Sequence, residues 1–360
     1  MSEPSPAVTH VADEIIRILK DNAQTVCDDP RLKKTLRDVQ AMDQKFEEIG
    51  GIFFHTGSNA FETAQKFTEI HVKNYRQTGR PSLPALAVYH AEQMGLDKDS
   101  PEYKAMIMVA VRAEMKIAAT PIYHTKFHYT DVAAMTANLL EKNNEMVNAG
   151  VAGAVPLTKQ EQALTFIAAI GHDLDHDGHV NPAGDPLFNE QKSFHLMEPL
   201  LQEAGLSASD IDKIYTILMT TSPDGPHAVL KVVAQAGREG RIADFSVIDR
   251  QNRFPELRVL AQGKLTQMAA IVSDSDLYAS SGAGLESSKV MSALFTAELK
   301  KDNESVDLTT DNARKFFLDN IVGQAGYASN AGRAVANESL EKLRKDTERR
   351  LAAAQKPLTV

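Results

Sequence analysis

Apolar residues recur along this chain at the three- and four-residue spacing of a helix face. Val8, Val11, Ile15, Ile16 and Leu19 set the pattern at the N-terminus and predict a first amphipathic helix. Asp29-Pro30 opens a second, charged helical stretch, and Gly50-Gly51 breaks it. A third run covers about 58–77, and Gly79-Arg80-Pro81 closes it with turn residues, which places a boundary there. Beyond it the helix starts are explicit. Ser100-Pro101-Glu102 supplies an N-cap, a proline at the first helical position and an acid in the first turn. Thr120-Pro121 repeats that device, and Thr158 with Glu161 forms a capping box. Asn312 to Val322 is another amphipathic run, and about 338–355 is a strongly charged last helix. No segment sustains the alternation of a β-strand, so the predicted fold is all-α, a compact multi-helix domain with an N-terminal helical region. The chain divides into residues 1–80, a helical region that is either regulatory, oligomerising or packed on the rest; residues 81–335, the domain with the chemistry; and residues 336–360, the charged C-terminal helix.

Composition narrows the classes. With 360 residues and 43% hydrophobic residues, the chain can bury a substantial core. A net charge of -9 disfavours nucleic acid and anionic membranes as default partners, and a homo-oligomer stays open. The single cysteine, Cys27, allows no intrachain disulfide and fits the reducing cytoplasm. The first fifteen residues lack the basic start and apolar run of a signal peptide, and no stretch approaches the roughly 20 apolar residues that span a bilayer.

Chemistry concentrates in three blocks. The first is Tyr123-His124-Thr125-Lys126-Phe127-His128-Tyr129-Thr130-Asp131-Val132. On a helix begun at Pro121, His124, His128 and Asp131 would share one face, within roughly 60° of each other. Exposed histidines beside a core stripe are the alternative reading of that block. In the second, the apolar run Leu164, Ile167, Ile170 ends in His172-Asp173, with Asp175, His176 and Asp177 following. An imidazole and a carboxylate at the tip of a buried helix require a partner, and a cation is a natural one; a core histidine paired to an aspartate is the alternative. The third block, Asp274-Ser275-Asp276-Leu277, follows Met268, Ile271 and Val272. Two aspartates ending a helix would oppose its dipole, and a metal would offset that cost. Imidazole and carboxylate ligands suit zinc, iron, manganese or magnesium, and an aspartate such as Asp173 is able to bridge two ions, the arrangement that activates a water against a phosphate ester.

The HDxDH run, the upstream YHxxxHxxDV block and the downstream Asp-Leu resemble the catalytic domain of class I cyclic-nucleotide phosphodiesterases, within the HD phosphohydrolase superfamily, over roughly residues 85–330. That resemblance implies two divalent ions. His128, His172, Asp173 and Asp276 would hold the first, usually zinc, and Asp173 would bridge to a second, usually magnesium or manganese. Asp276 is preferred over Asp274 because the family's aspartate directly precedes leucine. His124 would be the general acid, His176 would orient the second ion's water shell, and Glu190, spaced from LLQE at 200–203 as in the family, would pair with His176 or the metal waters. Tyr123, Asp131 and Asn181 match supporting positions, with Tyr123 and Asn181 on the substrate side.

Two departures stand out. Lys192 and Ser193 occupy positions where the family has histidines. At the base-binding end the family's glutamine is replaced by Arg314, while Phe317 keeps the stacking position. Arginine only donates hydrogen bonds, so Arg314 either serves acceptors on a nucleotide or pairs with a nearby acid such as Asp311. The implied function is hydrolysis of a 3',5'-cyclic nucleotide or related small phosphodiester through a metal-bridged hydroxide with a histidine acid. The alternatives are an HD-type phosphomonoesterase or nucleotidase, and a non-catalytic nucleotide-binding protein.

Overall fold

The computed structural model describes residues 11–22, 29–48, 51, 53–116, 122–223, 226–241, 263–324 and 326–354. Val8, Cys27, Gly50, Thr120, Pro121 and the last six residues, all named in the sequence reading, lie outside these. Every regular element among the described residues is helical, as the periodicity predicts. In chain order these are α1 (Val11–Asn22), α2 (Leu32–Glu48) and α3 (Ala60–Phe67), which runs on through a π-helical segment (Thr68–Asn74) into α4 (Tyr75–Thr78). Then come α5 (Leu83–Gln93), α6 (Pro101–Lys116), α7 (Lys126–Asn148), α8 (Lys159–Gly171), α9 (Phe188–Glu203), α10 (Ala208–Met219) and α11 (Pro226–Arg238). The last are α12 (Gly263–Ser281), α13 (Gly284–Leu299), α14 (Asp311–Phe316) with a π-helical extension (Phe317–Ile321), and α15 (Asn330–Ala354).

Three helices form the centre, and their sequences say why. Helix α8 is apolar all round from Ala163 to Gly171, α12 is buried over most of Leu265–Ser281, and α7 is buried almost continuously from His128 to Leu140. A helix apolar on nearly every face, as α8 is apart from Thr165, has no side to give to water, and the buried polar groups of α7 and α12, such as Asp131, Asn138 and Asp274, find partners inside the protein. Accordingly α7 packs on both α8 and α12, with α5, α6, α10, α11 and α15 around them. Helices α7 and α8 are antiparallel. His128 in the first turn of α7 meets His172 just past the end of α8, while Asn144 near the end of α7 bonds to Gln162 near the start of α8. The N-terminal stretch joins the same core through Val11, Ile15, Phe46 and Phe67, and α3 lies against α15. Arg80, in the turn expected at 79–81, is buried against Glu114 of α6 at 2.9 Å. The same carboxylate accepts from the Leu83 N–H that opens α5.

Local signals work as read. Thr158 Oγ1 accepts from the Glu161 N–H, and Glu161 returns the bond to the Thr158 N–H at 2.7 Å. Ser100 Oγ accepts from the Tyr103 N–H. Two expectations are corrected. Residues 122–125 are not helical, and α7 begins at Lys126. The amides of Ile122, Tyr123 and His124 donate to the Glu298 carboxylate of α13, which satisfies them outside any helix. Likewise α12 does not end at Asp274–Asp276; Tyr278 and Ala279 extend its buried face to Ser281, so the dipole argument does not apply there.

Asp274 has a structural use. Fully buried, it accepts from the Ala328 and Ser329 N–H groups at 2.7 Å each and from Ser329 Oγ at 2.6 Å, anchoring the entry to α15. Gly332 is the close approach that permits this, since a Cβ there would lie 2.3 Å from Asp274 Oδ2. Gly332→Ala should therefore lower stability by about 2–3 kcal/mol through overpacking and a displaced buried carboxylate. Urea denaturation measures it, and an unchanged midpoint would refute the packing assignment.

Candidate metal centre

The antiparallel pairing of α7 and α8 brings the first two histidine blocks together. His128 sits one turn into α7, and His172 caps the C-terminus of α8. The tip of α8 can press against α9 because residue 171 has no side chain: a Cβ on Gly171 would stand 2.2 Å from Met197 Sδ. The chain then reverses through Asp175, which adopts a left-handed φ of 65°, uncommon outside glycine. That reversal places Asp173 on one side and His176 on the other. Asp276 arrives from the middle of α12.

The four groups converge. His128 Nε2 lies 3.3 Å from His172 Nε2, 3.1 Å from Asp173 Oδ2 and 3.3 Å from Asp276 Oδ1. His172 Nε2 lies 3.0 Å from Asp173 Oδ2 and 3.6 Å from Asp276 Oδ1. Both imidazoles are buried; the carboxylates keep 17% and 24% side-chain exposure, so one side of the cluster opens to solvent. The Nδ1–H of His172 donates to the Ala169 carbonyl at 2.8 Å, which turns its Nε2 lone pair inward. Burial opposes charge on His128, but Asp173 and Asp276 outweigh it and raise the imidazole to about 9. His172 is raised in the same way against its own burial. Both carboxylates are held low by the histidines although burial works against them. A field that favours positive charge at the meeting point of two imidazole nitrogens and two carboxylates suits a divalent cation.

His124 stands at the edge of this cluster, outside α7. Its Nε2 is 3.7 Å from Asp173 Oδ2, and its Nδ1 is bonded to Glu298 Oε1. Glu298 Oε2 accepts from the three amides of 122–124, at 2.7, 2.8 and 3.2 Å. Burial pushes Glu298 up, yet its bonds to His124 and to the amides hold it at about 2. The sequence reading missed Glu298. The signal was there: Met291, Phe295 and Glu298 share one stripe of α13, and a lone acid on a core stripe asks for a buried partner. The His176 ring stacks on His124 with centroids 3.8 Å apart and accepts from the Gly178 N–H through Nδ1. Burial, reinforced by the neighbouring His124, lowers His176 to about 4 and keeps it neutral.

The remaining residues fall around or away from the cluster. Glu190 is buried; desolvation, with the negative charge of Asp173, raises its carboxyl to about 7. Asn181 donates to Glu190 at 3.4 Å and to the Pro186 carbonyl at 2.9 Å. The Tyr123 ring lies 4.8 Å from the His128 ring, and its hydroxyl faces Ser280 Oγ at 3.5 Å. Asp131 does not share a ligand face with His124; its carboxylate pairs with the buried His71 at 2.8 Å. Lys192 reaches Asp177 at 3.3 Å, and Ser193 donates to the Leu174 carbonyl. Arg314 is buried at 2% exposure, with its guanidinium bonded to Asp311 and, at 3.3 Å, to Ser288 Oγ. The Asp311 partner expected for Arg314 is present, and Arg314 Nη2 is buried without a hydrogen-bond partner among the described residues. Phe317 is half-buried against the core.

No family model and no curated protein sequence matches this chain. Solved structures do. The structure of LmjPDEB1 in complex with IBMX superposes with a TM-score of 0.55 at 15% identity, covering 90% of this chain and 98% of that one. The phosphodiesterase domain of Salpingoeca rosetta rhodopsin phosphodiesterase superposes with a TM-score of 0.48 at 16% identity, over 81% of this chain and 89% of that one. The first of these likenesses shows that the helices described above are arranged in the fold of a phosphodiesterase catalytic domain.

Proposed function

We propose that this chain is a metal-dependent phosphodiesterase acting on a 3',5'-cyclic nucleotide or a related small phosphodiester. The carrying observation is the convergence of His128, His172, Asp173 and Asp276 beside a histidine, His124, that is oriented from behind by a buried carboxylate. Those four side chains would hold the first ion, which we assign as zinc; Asp173, the one that also faces His124, would be shared with a second, magnesium or manganese. Ions so held supply Lewis acidity toward a phosphoryl oxygen and acidify a water.

The protein's own part is proton placement and exclusion of water. Glu298 fixes His124 through Nδ1, so Nε2 is the ring nitrogen directed at the open side of the cluster, and it carries a proton there when the ring is an imidazolium. Donated to a leaving ester oxygen, that proton serves the alkoxide of a ribose, a poor leaving group. Neutral His176 stacks on His124 without competing for the same carboxylate. Glu190, buried and raised to about 7, is available on the Asp173 side as a group able to hold or release a proton near neutrality. Arg314 is bonded to Ser288 and Asp311 through Nε and Nη1 and keeps a buried Nη2 without a partner among the described residues, and Phe317 would supply the aromatic surface for the base.

Metal analysis of purified protein should find transition metal, and His172→Ala or Asp173→Ala should lose both metal and hydrolysis while circular dichroism stays helical. Full occupancy in Asp173→Ala would overturn the ligand assignment. His124→Ala should keep its metal and lose about 10²- to 10⁴-fold in rate on a cyclic nucleotide. The loss should shrink on a nitrophenyl phosphodiester, whose leaving group needs no proton. Equal losses on both substrates would remove His124 from the acid role, and turnover of monoesters alone would replace the diesterase reading by a nucleotidase.

A further inference from the structure

At the other end of the α7–α8 pair lies a second cleft, of about 320 Å³. Glu141 is 13 residues along α7 from His128, which at helical rise is about 20 Å away. The cleft has an apolar wall made by Tyr89, Met94, Ala137 and Leu140. Behind Tyr89, Phe53 stacks at 4.2 Å, so the wall is rigid. Between wall and mouth stands His90, packed on Phe166 at 5.1 Å. Burial, with His55 nearby, lowers its imidazole to about 3, so it is neutral. No described residue hydrogen-bonds to it, which leaves its ring nitrogens for a ligand.

Two charges face this cleft without meeting. Glu141 makes no ion pair with any described residue, and the Lys159 ammonium donates only to the Gly95 carbonyl, at 3.1 Å. Their separation follows from the helix geometry. Asn144 Nδ2 donates to Gln162 Oε1 at 3.0 Å, tying the two helices together. Glu141 precedes Asn144 by one turn on α7, and Lys159 precedes Gln162 by one turn on α8. Because the helices are antiparallel, the two residues flank the amide bridge on opposite sides, their Cα positions about 9 Å apart along the axes. Opposite charges that a fold keeps apart across a walled cleft are complementary to a ligand carrying both charges in reverse.

We propose that this cleft binds a short zwitterion, with a primary ammonium directed at Glu141, a carboxylate at Lys159, and an apolar middle lying on Tyr89 and Met94 under His90. The separation of the charges favours a molecule of ω-amino acid or dipeptide length over an α-amino acid, whose charges are about 3 Å apart, close to a single hydrogen-bond length. The proposal is independent of the chemistry at the metal centre.

Calorimetric titration of the purified full chain with 6-aminohexanoate, glycyl-leucine and leucine tests it, with hexanoate and hexylamine as ligands carrying one charge each. One or both of the longer zwitterions should bind with one-to-one stoichiometry. Leucine and each singly charged ligand should bind at least about tenfold more weakly. Glu141→Gln and Lys159→Met should each weaken binding about tenfold, and His90→Phe should weaken it by removing the two ring nitrogens while keeping a planar ring in place; all three should retain metal content and basal rate. No binding of either long zwitterion at about 10 mM would overturn the proposal. So would hexylamine or hexanoate binding equally well, or titrations unaltered in the Glu141 and Lys159 variants. Which of the two zwitterions binds more tightly identifies the ligand class.

Discussion

Two imidazole nitrogens 3.3 Å apart, set between two carboxylates and largely shut off from water, need positive charge among them. Without it the site would hold four acceptors facing one another in a low-dielectric interior, each unpaired and each raising the energy of the others. Protons meet that need in part, which is why His128 and His172 are driven to hold theirs so firmly. A divalent ion meets it better, because one charge centre serves all four groups. The central helices are arranged around this requirement: α7 and α8 run antiparallel so that the start of one meets the end of the other, and α12 crosses them with Asp276 facing in.

Much of this was legible in the sequence, for physical reasons. Helix ends announce themselves when a side chain satisfies the backbone locally, as Thr158 and Glu161 do for α8. The all-α architecture follows from periodicity alone. That the second block would meet other polar groups was readable because a polar pair at the tip of an apolar helix has so few uses. Where the reading went astray, a distant residue had taken over a local role. Glu298 satisfies the amides of 122–124, so a segment that looked like a first helical turn is held out of the helix, in a series of bends, by a group more than 170 positions away. Asp274 and Asp276 read as one acidic pair, yet on a helix two residues apart face different ways. One therefore anchors the entry to α15 and the other enters the cluster.

Arg314 illustrates the same limit. A change from glutamine to arginine reads in sequence as a change in what a pocket can donate. In three dimensions the guanidinium is enclosed with Asp311, and Asp311 also holds Arg350 of α15. Arg314 is thus part of a small ionic network between α14 and α15; its i,i+3 pairing with Asp311 was readable from spacing, whereas the contact of Asp311 with Arg350 depends on the packing of a terminal helix.

The arrangement at Glu298 carries a consequence for how this site could change over time. One oxygen of its carboxylate grips the backbone of residues 122–124; the other grips the His124 ring. Position and charge partner of that histidine are therefore a single variable. A mutation at residue 298 cannot remove the carboxylate from the ring while leaving the placement of the ring alone, and a mutation that shifts the segment disturbs the charge partner as well. Elsewhere around the cluster the contacts divide differently: His176 is held by the Gly178 N–H, whereas Asn181 and Glu190 are bonded to each other and would have to vary together.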